Sequence, residues 1–219
     1  MVGTYVLMRI LESAPSRYDR GLRILTWGRL DEVYDRLVTH VKPGRRVLDL
    51  GCGTGALALR AAARGALVKG IDVNSQMLEM AEQRAQKAGL GDLVRFAEMG
   101  IAELDGEESE AYDAVTSGLC FSELTADEQS YALRQVMRLL RPGGLLLLTD
   151  EVVPRTRWKR LLNATVRLPL ALLAYLWTQT TTHAVRDLPR KVVREGFVVQ
   201  SSRATNFESL LELVATKPV

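Results

Sequence analysis

Cysteine is scarce. The 219 residues hold two, Cys52 and Cys120, 68 positions apart and in no CxxC pair. That excludes a disulfide scaffold and a cysteine-based zinc site, and two free thiols suit a protein kept in a reducing cytoplasm, the expected location. Histidine is as rare, with His40 and His183 alone, so no metal-ligand cluster and no Ser-His-Asp arrangement stands out. Seven prolines form no Pro-, Gly- or Ser-rich linker, which argues against a second domain on a tether. Long apolar runs are missing as well. The longest charge-free stretch, Leu168–Val185, turns polar at Thr178–His183, and its apolar part, Leu168–Trp177, is about half of what a membrane span needs. Arg9, Glu12 and Arg17 interrupt the N-terminus before a signal peptide could form.

What is present is the composition of a globular protein, 47% apolar and 25% charged, long enough to bury a core without metal or disulfide support. The net charge of +3 conceals a division: residues 1–151 hold 18 Lys and Arg against 22 Asp and Glu, and residues 152–219 hold 11 against 4. A basic C-terminal third suits an anionic acceptor, an anionic surface or a solvated helix face.

Residues 17–41 carry apolar positions at helical spacing (Leu22, Leu25, Leu30, Val33, Leu37), and Pro43-Gly44 ends that region. The period then changes. Strands are expected at Arg46–Leu50, Leu67–Ile71, Leu93–Ala97, Tyr112–Thr116 and Gly144–Thr149. Helices are expected between them at Ala56–Arg64, Ser75–Ala88 and Ala126–Leu140. That alternation indicates a doubly wound, mainly parallel sheet. Arg155–Trp177 reads as a helical insertion, and Phe197–Ala204 and Leu210–Thr216 as two closing antiparallel strands. The expectation is one α/β domain over 1–219: leading helices in 1–42, a core in 43–153, a helical cap in 154–195, and the last two of seven strands in 196–219.

The chemistry concentrates in Val47-Leu48-Asp49-Leu50-Gly51-Cys52-Gly53-Thr54-Gly55. Glycines directly after a buried strand let the backbone turn tightly and approach a ligand, with the N–H groups of the next helix facing it. Gly51, Gly53 and Ala56 alone would also fit a dinucleotide fingerprint. Asp49 changes the weighting. A carboxylate at the strand end repels a pyrophosphate and attracts an ammonium or sulfonium. Asp72, closing Gly70-Ile71-Asp72, can accept both hydroxyls of a ribose, which fits any adenosine-bearing ligand, NAD or S-adenosylmethionine; Asp49 tilts the choice toward the one that carries an ammonium and a sulfonium. Cys52, between two glycines, reads as a small packing residue.

These residues resemble motifs I and II of the class I S-adenosylmethionine-dependent methyltransferases. Tyr112-Asp113-Ala114-Val115 resembles their fourth-strand motif, and Leu140-Arg141-Pro142-Gly143-Gly144 the loop before the fifth strand. The resemblance runs from about Arg17 to the C-terminus. It implies a Rossmann-like fold and S-adenosyl-L-methionine as methyl donor, with S-adenosyl-L-homocysteine as product. Residue by residue, it implies Asp49 at the methionine amino group, with Gly51, Gly53 and Thr54 under the methionyl chain. It implies Asp72 at the ribose, Val73 and Met77 at the adenine, and Ser117 and Gly118 at the sulfonium end. Gly100-Ile101-Ala102-Glu103 departs from the frequent G-D-A-E. Ile101 is expected to pack on the adenine ring and the Ala102 N–H to read its edge.

Ser16-Arg17-Tyr18-Asp19-Arg20-Gly21 resembles the leading helices of ubiquinone/menaquinone-biosynthesis methyltransferases, which puts Tyr18 near the cofactor. Leu11–Pro15, Ser117–Leu124 and Thr178–Thr182 look like methyltransferases associated with corrinoid proteins. The acceptor is therefore expected to be a corrinoid or its protein, with a small molecule such as a quinone precursor as the alternative. Cys120, Phe121, Glu123, Glu151, Trp158 and His183 are the residues expected around it. No metal and no nucleic acid are implied, and no catalytic residue is assigned. The basic residues Arg155, Arg157, Lys159, Arg160 and Arg167 before Leu168–Trp177 allow peripheral contact with a membrane. A chain that binds the cofactor without catalysis would show the same motifs.

Overall fold

The computed structural model describes Thr26 and residues 28–152, 184–205 and 209–219. Tyr18, Trp158 and His183, with most of the expected cap, lie outside the described residues. Within them the chain forms α1 (Arg29–Val38), β1 (Arg46–Leu50), α2 (Ala56–Ala63), β2 (Leu67–Asp72), α3 (Ser75–Lys87) and β3 (Val94–Glu98). There follow β4 (Tyr112–Gly118), α4 (Ala126–Leu139), β5 (Leu140–Glu151), α5 (Leu188–Arg194), β6 (Val198–Thr205) and β7 (Leu210–Thr216). Two 3₁₀ turns, Ile101–Gly106 and Phe121–Glu123, flank β4.

The seven strands form one sheet in the order β3-β2-β1-β4-β5-β7-β6. The first five are mutually parallel, and β7 runs antiparallel to both β5 and β6. The doubly wound, mainly parallel sheet expected from the alternation of periods is the one observed. Its central strands are apolar on both faces because helices cover both. Alternate residues of β1 show the division: Leu48 and Leu50 pack with α4 and α5, while Val47 packs with α1 and α2.

Two boundaries differ from the sequence reading. Leu140 already pairs with Tyr112, and pairing resumes at Ala114 with Leu145, so Arg141–Gly144 bulge out of β5. Gly143, at φ +75°, makes that bulge possible. Asp113 anchors it by accepting from Arg45, from Arg141 and from the Arg46 N–H at 2.8–2.9 Å. The other difference is α5, which falls within the stretch assigned to the cap. Its Leu188 and Val192 are fully buried in the core, so this short helix serves as the crossover into β6.

Val152, which follows β5, forms an isolated parallel bridge with Val185. Val152 and Val185 thus stand side by side at the C-terminal end of β5.

Candidate functional site

In an open α/β sheet ligands bind beyond the C-terminal strand ends, where the strand order reverses. Here that point lies between β1 and β4, and the motif residues gather there. Asp49 pairs in register with Gly70 on one side and Thr116 on the other, and Leu50 with Ile71 and Ser117. The glycine turn follows directly. Gly51 has φ +61°, and a Cβ there would stand 2.7 Å from both Cβ and Sγ of Cys120, so only glycine lets the turn after β1 and the turn after β4 touch.

Asp49 is buried, and its Oδ1 accepts from the Thr116 hydroxyl at 2.6 Å. Its Oδ2 is buried without a hydrogen-bond partner. Burial pushes this carboxyl up to about 7, against the opposing pull of the Thr116 hydroxyl. An orphaned buried acceptor is costly, and its position fits a ligand cation.

Asp72 faces the same turn. One of its oxygens accepts from the Gly53 N–H at 2.8 Å and the other from the Asn74 N–H at 2.9 Å. The carboxylate is thus oriented before any ligand arrives. Asn74 in turn caps α3 by accepting from the N–H groups of Gln76 and Met77. Val73 is a large apolar side chain left 72% exposed. It lies beside Gly100, where an added Cβ would be 3.5 Å from Val73 Cγ1, so two segments expected at the adenine are brought together. Met77 is buried, Ile101 half-buried, and Ala102 exposed, its carbonyl accepting from the Tyr131 hydroxyl. Gly100 donates its N–H to Glu103 at 2.6 Å.

Some expected site residues have other work. Ser117 is fully buried and donates to the Leu50 carbonyl at 3.1 Å, tying β4 to β1. Phe121, expected at the acceptor, is instead a core residue, fully buried among Leu50, Leu104 and Leu133. An apolar ring on the sheet-facing side of the turn is drawn inward by the hydrophobic effect. Thr54 is buried, while Cys120 and Glu151 are half-buried and Glu123 is exposed. Cys52 sits against Gly70, and burial raises both thiols far above their ordinary range. Protonated thiols of this kind are poor nucleophiles.

Sequence reasoning missed three residues. Tyr34 on α1 lies over the end of β4, and a Cβ on Gly118 would overlap its phenol. Its only trace in the sequence is the apolar face of α1. Asp150 is buried, its carboxyl raised to about 7 by burial, and it accepts from the Ser122 and Glu151 N–H groups. Glu212, buried on β7, receives a fork from Arg36 at 2.7–2.9 Å. Neither acid belongs to a motif. Among the described residues no cluster of His, Cys, Asp and Glu could hold a metal, and no helix is long and apolar enough to cross a membrane.

Residues 47–144 match the family described as "Methyltransferase domain". A ubiquinone/menaquinone biosynthesis C-methyltransferase from Bartonella tribocorum is 32% identical over 205 residues, 89% of this chain and 72% of that protein. The methyltransferase GfsG of Streptomyces halstedii is 35% identical over 127 residues, 58% of this chain but only 44% of its own length. Among solved structures, the magnesium protoporphyrin IX methyltransferase of Synechocystis with bound S-adenosylhomocysteine superposes with a TM-score of 0.65. It is 26% identical, with 86% of this chain and 82% of that one covered. The sheet order and the glycine turn define a Rossmann-like methyltransferase, and the chain belongs to the class I S-adenosylmethionine-dependent methyltransferases. Its cofactor is S-adenosylmethionine, and it resembles the quinone-biosynthesis branch over nearly its whole length.

Proposed function

We propose that the protein binds S-adenosylmethionine across the C-terminal ends of β1, β2 and β4 and methylates a ring carbon of a quinol. The observation that carries the donor pose is Asp49, whose buried Oδ2 lacks a partner. In this pose it receives the methionine ammonium, while Asp72 receives the ribose hydroxyls. Val73, Met77 and Ile101 border the adenine, and Gly51 and Gly53 let the methionyl chain lie on the backbone. Gly118 and Tyr34 border the sulfonium end. Tyr18 remains a candidate contact on the preceding segment.

Bound in this way, the cofactor supplies a methyl group already activated by its positive sulfur. The chain's task is alignment, which supplies several kcal/mol of barrier reduction when the nucleophile is held in line. The new C–CH3 bond forms as the S–CH3 bond breaks, the sulfur leaves as S-adenosylhomocysteine, and the ring carbon then loses its proton. Glu151 and Glu123, at the ends of β5 and of the turn after β4, are the carboxylates proposed to take it.

Two observations support a quinol. The similarity to the Bartonella protein spans 89% of this chain, and the apolar residues Leu124 and Val152, after β4 and β5, are only partly buried at the rim of the core. No relative named above points to a corrinoid, so that acceptor gives way to the quinol. Cys120, Trp158 and His183 complete the proposed acceptor side. Incubation with radiolabelled S-adenosylmethionine and a demethylated naphthoquinol tests the reading: label in the quinol supports it. Label in a corrinoid protein with none in the quinol overturns it.

A further inference from the structure

The turn between β4 and α4, residues 119–124, joins the two halves of the proposed site. Cys120 within it rests on Gly51 of the donor loop, and Glu123 is a proposed acceptor-side carboxylate. The turn is partly closed by its own bonds, the Ser122 hydroxyl donating to Leu119 O and the Glu123 N–H to Cys120 O, both at 3.1 Å, but these leave one residue strained. Leu119 adopts φ +64°, the left-handed region that a branched side chain rarely occupies, so the surroundings must impose the conformation.

From outside the turn, three side chains and one backbone carbonyl do so. Thr149 O accepts from the Leu119 N–H at 2.8 Å, and both oxygens of Asp150 accept from the Ser122 N–H at 3.2 Å. The buried Gln129 amide donates to Phe121 O at 2.7 Å and to Leu124 O at 3.0 Å. Gln129 spends its own oxygen on Lys191, whose Nζ donates at 2.6 Å. Lys191 belongs to α5, outside the strand ends that form the site. The ammonium fixes which way the Gln129 amide faces, because only with oxygen toward Lys191 does nitrogen face the two carbonyls.

We propose that Lys191 and Gln129 are positioning residues: acting with Asp150, they hold the 119–124 turn against Gly51 and so set the geometry of donor and acceptor without touching either. This rests on the donor pose proposed above. Removing the ammonium leaves the buried Gln129 oxygen without its donor, and the side chain withdraws toward water to regain one. The carbonyls of Phe121 and Leu124 then lose their donor, the strained Leu119 relaxes, and Cys120 moves on the donor loop.

Hydrogen exchange by mass spectrometry and calorimetry with S-adenosylhomocysteine test this on wild type, Lys191→Met, Lys191→Arg and Gln129→Glu. Lys191→Met is expected to speed exchange of the 118–125 segment at least tenfold, with the strands unchanged, and to weaken S-adenosylhomocysteine binding three- to tenfold. Lys191→Arg, which still donates to Gln129, restores both to within twofold of wild type. Gln129→Glu keeps the shape but has no donor for the carbonyls, and reproduces the Lys191→Met pattern. Unchanged exchange in Lys191→Met, or acceleration spread evenly over the whole sheet, overturns the proposal. Failure of the wild type to bind S-adenosylhomocysteine would overturn the donor pose instead.

Discussion

Thr116 donates its hydroxyl to Asp49 Oδ1 at 2.6 Å and leaves the other carboxylate oxygen buried and unpartnered. The pair bridges two parallel strands, with Asp49 two residues before Gly51 of the glycine turn. A carboxyl so placed is half prepared for a cation and half destabilised without one.

Asp49 therefore couples pH to both stability and binding. Its folded value is raised from 3.8 to about 7, so between pH 4 and 7 the folded state holds a proton that the unfolded state has lost. Free-protein stability consequently falls as pH rises across that window, and Asp150, also raised to about 7, adds to the trend. Asp49→Asn removes one share of it: its melting temperature should exceed wild type more at pH 8 than at pH 5. Affinity for S-adenosylhomocysteine runs the other way, because the ammonium needs the ionised carboxylate. Calorimetry should show wild-type affinity rising from pH 6 to 8, and a flat, weaker profile in Asp49→Asn.

Asp72→Ala is expected to weaken S-adenosylhomocysteine binding far more than Cys52→Ala. Each charge-assisted bond to a ribose hydroxyl contributes about 1.5–3 kcal/mol, and the variant also releases the Gly53 and Asn74 N–H groups. Cys52 contributes packing alone. Titration of both variants decides it, and equal losses would mean the ribose lies elsewhere.

The preference for an adenosyl-sulfur ligand over NADH should be strong. A pyrophosphate laid on this glycine turn would meet Asp49, while a sulfonium and an ammonium are attracted. Calorimetry of the wild type is expected to show S-adenosylhomocysteine binding and none with NADH, and the reverse result would refute the pose.

Gly118→Ala places a methyl group where the Tyr34 phenol lies. Overpacking of this kind costs about 1–3 kcal/mol, so thermal unfolding should occur several degrees lower. Adding Tyr34→Ala to Gly118→Ala makes room for the methyl group, and the double variant should lose less than the two single changes combined. Additive losses would show that the residues do not press on each other.

The pattern of the sequence by itself determined the order of elements, the parallel sheet and the place of the chemistry. Those signals are local: a change of period at Pro43-Gly44, a glycine turn after a buried strand, and an acid closing each of two strand motifs. The first strand expected, Arg46–Leu50, coincides with β1, while β5 starts earlier because the Arg141–Gly144 bulge depends on its partner strand. Folding alone decided the rest. Tyr34 meets Gly118 across 84 positions of sequence, and Lys191 reaches Gln129 across 62. Phe121 turned inward where Cys120 stayed half-buried, a choice made by packing against Leu50 and Leu133. Periodicity reports which face of an element is apolar; what that face meets, and which buried polar atom is left without a partner, are set only when distant segments share one solvent-free space.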